Sequence, residues 1–136
     1  MISFSKRGFC HFYKIAEYRV NPRVFFDIAI DNRPRGRLVF EIYGDLPRTT
    51  ENFLALVDGK QQFSSQLASF LAGVTHDGRQ LSYENTVFHR IVPGFVAQGG
   101  DVLENTGRGN ADHKGELFPD ESFKYSHDKR GTVQLG

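Results

Sequence analysis

The chain has 136 residues, enough for one domain with a single core. Hydrophobic residues make up 39% and charged residues 24%, which argues against disorder along the whole length. The formal net charge is +1 with the two signs interleaved, so the concentrated basic face of a nucleic-acid binder is missing. No apolar run reaches the roughly 18 residues of a spanning helix, which gives no expectation of a membrane partner.

Residues 1 to 20 stand apart as a basic extension. They carry Lys6, Arg7, Lys14 and Arg19 against one acid, Glu17. Two readings stay open, a plain extension or an organelle-targeting leader. The single cysteine, Cys10, can form no internal disulfide. It fits a reducing, cytoplasmic location, with a mitochondrion or another organelle as the alternative.

From Arg23 to Ile30, Val24, Phe26, Ile28 and Ile30 fall on one face of a period-two pattern, predicting a strand. Asp31-Asn32-Arg33-Pro34-Arg35-Gly36 is dense in turn formers. Leu38, Phe40 and Ile42 then open a second alternation, which predicts an antiparallel hairpin. In Leu46-Pro47-Arg48-Thr49-Thr50-Glu51-Asn52, Thr49 or Thr50 is expected to cap a helix. Phe53, Leu56 and Val57 form its apolar face, and Gly59 its stop. Phe63, Leu67, Phe70, Leu71 and Val74 predict a second short helix. Its stripe packs on the domain or docks a partner.

A strand is expected from Val87 to Val92, closed by Pro93-Gly94, with another short one from Phe95 to Gln98. The stretch from Asp101 to Arg130 reads as a long polar, glycine-rich loop, and residues 132 to 135 as the start of one more strand. Strands, a helix, then short strands and loops imply a mainly antiparallel β architecture with helices, as in a barrel.

The usual catalytic signatures are missing. Gly107-Arg108-Gly109 is only part of a dinucleotide fingerprint, and there is no Walker loop or Gly-x-Ser-x-Gly elbow. The histidines are scattered without zinc spacing, so neither a metal nor a cofactor is expected. One segment is unusual, because it sets polar groups among apolar ones: Phe88-His89-Arg90-Ile91-Val92-Pro93-Gly94-Phe95-Val96-Ala97-Gln98-Gly99-Gly100-Asp101. Arg90 over an aromatic floor can hold a polar group on an apolar ligand. Arg90 paired with a carboxylate on a strand, and His89 satisfied beside the core, is the structural alternative.

That segment resembles the signature of the cyclophilin family of peptidyl-prolyl isomerases. Asn21-Pro22-Arg23-Val24-Phe25-Phe26-Asp27-Ile28, Gly36-Arg37-Leu38-Val39-Phe40-Glu41-Ile42-Tyr43, Pro47-Arg48-Thr49-Thr50-Glu51-Asn52-Phe53 and Phe118-Pro119-Asp120-Glu121-Ser122-Phe123 resemble further stretches of that family, in its order. The resemblance spans residues 21 to 136, with an inserted stretch near 61 to 82. It implies an eight-stranded antiparallel barrel capped by two helices, with rotation of Xaa-Pro peptide bonds as the activity. Proline-containing peptides or client proteins would be the partners, with cyclosporin as a ligand and no cofactor. It implies Arg90 as the catalytic residue, and His89, Phe95, Val96 and Gln98 as substrate-binding residues. Phe95 would floor the proline ring, Val96 would stand where methionine is common, and Gln98 would bond a substrate carbonyl.

The resemblance also implies that the chain stops before the far side of the pocket, with the last strands and the second capping helix missing. Two alternatives follow from that expectation. One is a non-catalytic peptide-binding or scaffold protein that docks through Leu67 and Leu71; the other is an inactive truncated fragment.

Overall fold

The period-two pattern at residues 23 to 30 builds the first sheet. In the computed structural model, which describes residues 2–4, 21–59, 81–109 and 119–135, Ile2–Phe4 (β1), Arg23–Ile30 (β2) and Arg33–Glu41 (β3) are antiparallel in the order β1-β2-β3. Ile2 pairs with Ile30 and Phe4 with Ile28, so part of the leading segment lies along the sheet edge. This short strand is not among the elements expected from the sequence.

The two longer strands pair from Arg23↔Glu41 to Ile30↔Arg33. Only Asp31 and Asn32 are left in the turn, with φ of 49° and 60°. Two left-handed residues match the strand twist in a tight hairpin, and Asn and Asp tolerate that conformation. The turn is therefore much shorter than the expected one reaching Gly36. Pro34 is accommodated because the register slips beside it: Ile28 faces Gly36, Ala29 faces Pro34, and Arg35 is the extra residue.

The sheet has two unlike faces. Val24 and Phe26 are buried on the inner one, and the Phe26 ring meets Phe40 edge-on at 5.1 Å. On the outer face Asp27 sits opposite Arg37. The guanidinium donates to both carboxylate oxygens at 2.7 and 2.9 Å and lies 3.7 Å over the centre of the Phe25 ring.

Pro47–Asp58 forms the helix α1. Pro47 suits its start, where a missing N–H costs nothing and φ is already helical. Phe53, Leu54, Leu56 and Val57 are buried, joining Val24, Phe26, Leu81 and Tyr83 in one core. Burying each large aliphatic side chain contributes about 1.5–3 kcal/mol. The helix stops as expected: Gly59 has φ 56° and its N–H reaches the Ala55 carbonyl at 3.0 Å. Its beginning differs from expectation. Leu46 is the cap residue and gives no side-chain bond, while Thr49 and Thr50 lie inside the first turn. The Thr50 hydroxyl donates to the Tyr43 carbonyl at 2.6 Å, so it is a donor rather than a cap.

Leu81 and Tyr83 complete the core. The Tyr83 N–H bonds the Leu56 carbonyl at 2.9 Å, and its ring packs on Phe26 and Phe53. Arg90–Val92 (β4) and Val96–Gln98 (β5) then form a separate two-stranded hairpin. The expected strand from Val87 is shorter: Val87 makes only an isolated bridge, Phe88 and His89 lie in no strand, and the Val87 N–H bonds the Asn105 side chain at 3.1 Å.

Residues 132 to 135, expected as a strand, have no ladder partner among the described residues, although Leu135 packs against the core. The predicted helix over residues 63 to 74, with Leu67 and Leu71, lies outside the described residues. Among the described residues the sheet and the hairpin do not close into the expected barrel. No described helix is long and apolar enough to cross a membrane.

Candidate active site

The site begins with a turn. In Val92-Pro93-Gly94-Phe95 the Phe95 N–H bonds the Val92 carbonyl at 3.0 Å, and Gly94 has φ 76°. Proline fixes φ at the second position of such a turn, and glycine supplies the positive φ at the third. The turn sets the register Val92↔Val96, Ile91↔Ala97 and Arg90↔Gln98. Side chains alternate along a strand, so Arg90, Val92, Val96 and Gln98 share one face.

On that face Arg90 Nη1 donates to Gln98 Oε1 at 3.3 Å. This bond holds the guanidinium beside the amide and leaves the Gln98 amide N–H groups to donate to a ligand carbonyl. Arg90 is exposed. Val96 is half-buried between the pair and the turn. Phe95 stands at the turn and is 81% exposed.

His89 lies on the other face of the segment. Its ring packs against Gly107, where any side chain would overlap the imidazole. Its Nδ1 is buried with no hydrogen-bond partner among the described residues. Of the five residues singled out in sequence, Arg90 and Gln98 are in direct contact and Val96 shares their face. Phe95 is at the adjoining turn, and His89 is turned toward the loop that follows.

That loop is organised by Asp101, which sequence reasoning passed over. The side chain is buried, at 5% exposure. Oδ1 accepts the N–H groups of Leu103 and Glu104 at 3.0 and 2.9 Å. Oδ2 accepts those of Thr106, Gly107 and Gly109 at 3.0, 2.8 and 3.1 Å. Burial alone would push the carboxyl up, but these backbone donors outweigh it and hold it well below the usual carboxylate range. The available signal was an acid followed by closely spaced glycines, whose backbones can wrap one carboxylate.

Two further contacts fasten the 119–125 segment to the start of α1. The Glu121 carboxylate accepts the N–H groups of Arg48 and Thr49 at 3.1 and 2.8 Å and the Thr49 hydroxyl at 2.8 Å. Partial burial pushes this carboxyl up, and those donors more than reverse the shift. Nearby, Asp45 Oδ2 accepts from Lys124 Nζ at 2.6 Å and the Tyr125 hydroxyl at 2.7 Å. The Tyr125 ring stacks on Tyr43 at 4.1 Å. A distant cap has no local signal, so sequence reading credited the nearby threonines instead.

Residues 25–135 match the family profile of the cyclophilin type peptidyl-prolyl cis-trans isomerases. The chain is 40% identical over 117 residues to a peptidyl-prolyl cis-trans isomerase of Rhizopus delemar, a match covering 85% of this chain and 32% of the relative. It is 39% identical over 122 residues to a peptidyl-prolyl cis-trans isomerase of Arabidopsis thaliana, covering 89% of this chain and 50% of the relative. The chain thus spans a third to a half of the length of these relatives. With its profile match running from β2 to the last described residue, and the Arg90–Gln98 hairpin inside that match, the chain belongs to the cyclophilin-type peptidyl-prolyl cis-trans isomerase family.

Proposed function

We propose that the chain catalyses rotation about Xaa-Pro peptide bonds and that Arg90 is its catalytic residue. The observation that carries this reading is the guanidinium held against Gln98 on an exposed hairpin face, beside an exposed aromatic ring. Amide resonance gives the peptide bond a rotation barrier of about 18–20 kcal/mol, and the uncatalysed Xaa-Pro step takes tens to hundreds of seconds. As the bond twists, resonance is lost and the prolyl nitrogen gains a localised lone pair. An N–H of Arg90 donates to that nitrogen more strongly than to the planar ground state. Binding that favours the twisted form lowers the barrier.

The neighbours have matching roles in this scheme. Phe95 gives the proline ring an apolar surface, with Val96 beside it. The amide N–H of Gln98 donates to a substrate backbone carbonyl, so the chain flanking the bond is held while the bond turns. His89 supports the segment from its opposite face. The substrates are proline-containing segments of client proteins, and cyclosporin competes for the same face. The sheet and hairpin are parts of the family's antiparallel barrel; Leu38, 46% exposed on the inner face of β3, supports that placement.

The test is exchange between cis and trans forms of a short Xaa-Pro peptide. Acceleration by the chain that is lost in Arg90→Ala, with folding intact, supports the reading. Acceleration unchanged in Arg90→Ala removes Arg90 from the role.

A further inference from the structure

The segment Val87-Phe88-His89 feeds directly into Arg90, and apart from an isolated bridge at Val87 it lies in no strand. The loop from Asp101 to Gly109 also holds it. The Asn105 side chain takes the Val87 N–H at 3.1 Å through Oδ1. Two residues on, Gly107 lies flat against the His89 ring, with no room for a side chain. Gly99 also packs so closely that a Cβ there would meet the Val87 carbonyl at 2.8 Å and Phe88 at 2.9 Å. The three residues before Arg90 are thus gripped between the end of β5 and the loop.

The loop can grip because it is itself rigid. Five of its backbone N–H groups converge on one buried carboxylate, Asp101, three residues after Gln98. Asn105 has φ 61°, a left-handed conformation that asparagine tolerates. Asp101 therefore sets the backbone on which Asn105 stands. A buried, charge-assisted anchor follows one member of the Arg90–Gln98 pair in sequence, and its loop fixes the chain leading into the other member.

We propose that Asn105 is a positioning residue for Arg90: by holding the Val87 N–H from the Asp101-organised loop, it sets the strand entry that aims the guanidinium. This inference rests on the assignment of Arg90 as the catalytic group. Its chemistry is directional. A guanidinium stabilises a twisted bond only if its N–H points at the prolyl nitrogen, and an ångström of misplacement can cost about a hundredfold in rate. Asn105 touches no substrate in this scheme, so its loss lowers kcat and leaves KM close to its value.

Three full-chain variants separate the side chain from the backbone. Asn105→Gly keeps the left-handed backbone without strain but removes the acceptor. Asn105→Asp keeps both the backbone preference and an acceptor oxygen. Arg90→Ala reports on the parent reading. The measurements are kcat and KM on an Xaa-Pro peptide, together with the NMR shifts of Arg90 Nε–H and the Gln98 side-chain amide without substrate.

The expected result is a fall in kcat of about tenfold or more for Asn105→Gly, inside the range set by misplacement. KM is unchanged, the Arg90 and Gln98 signals move, and Asn105→Asp recovers most of the loss. Wild-type kcat in Asn105→Gly with unmoved signals overturns the proposal. So does an Asn105→Asp variant as slow as Asn105→Gly, because the acceptor would then be irrelevant. If Arg90→Ala leaves turnover untouched, the catalytic assignment of Arg90 fails. The Arg90 and Gln98 shifts in Asn105→Gly still decide the positioning, since they need no turnover.

Discussion

Glu121 caps a helix that starts far upstream: its carboxylate accepts both the backbone N–H and the hydroxyl of Thr49, 72 residues away, each at 2.8 Å. The first turn of α1 has no acidic residue and no capping side chain of its own. Its free N–H groups carry partial positive charge, so a carboxylate from elsewhere suits them. The bond ties the 119–125 segment to the core helix.

Glu121→Ala is expected to lower stability by about 1–2 kcal/mol, the usual cost of losing a helix cap. Urea unfolding measures it. The sign of the pH dependence follows from the carboxyl's lowered pKa. The stabilisation is full above the ordinary value of 4.5 and is lost as pH falls through the lower folded value. Glu121→Gln should therefore show a shallower loss of stability below about pH 4.5 than the parent chain.

Asp101→Ala strips the acceptor from five backbone N–H groups at once. A loss of at least about 2 kcal/mol is expected, since bonds to a charged group each contribute about 1.5–3 kcal/mol and water recovers part of them. Amide hydrogen exchange should accelerate at Leu103, Glu104, Thr106, Gly107 and Gly109 in particular. Protection unchanged at those five amides would contradict the anchoring role. Asp101 is also held charged far into acid, so its stabilisation is full above the ordinary value of 3.8 and is lost only as pH falls through a much lower folded value.

Leu56 is 1% exposed at the centre of the core. Leu56→Ala is expected to cost about 2–5 kcal/mol, from lost burial and the cavity left behind. Its carbonyl, which accepts the Tyr83 N–H, is untouched by the change. The whole loss then belongs to packing. A urea midpoint that does not move would show that α1 is not integral to the core.

Local patterns were legible and remote ones were not. The alternation of Val24, Phe26 and Ile28 gave β2, and the spacing of Phe53, Leu56 and Val57 gave the buried face of α1, because both are periodic over a few residues. Pro93-Gly94 gave the turn that aligns Arg90 with Gln98. The hairpin turn is shorter than its composition predicts because Pro34 and Gly36, which look like turn residues, sit at a bulge. The cap of α1 was misplaced onto Thr49 or Thr50 because Glu121 lies far away in sequence. The strand expected from Val87 is continuous only from Arg90, after an isolated bridge at Val87 whose N–H goes to Asn105, a contact between loop and strand that periodicity does not encode. Asp101 was missed for a related reason. Its partners are backbone groups, which every residue carries, so no side-chain pattern marks them.

In the proposed mechanism Arg90, held by Gln98, turns this hairpin into a rotamase site. NMR exchange spectroscopy on an Xaa-Pro peptide, with the full chain and with its Arg90→Ala variant, is the decisive test. Clear acceleration by the chain is expected, with a loss of about a hundredfold or more in the variant, the scale for removing one oriented donor to a transition state. The variant should unfold at the same urea concentration, because Arg90 is exposed. A folded parent chain that leaves the exchange rate unchanged, or a variant as fast as its parent, would contradict the account.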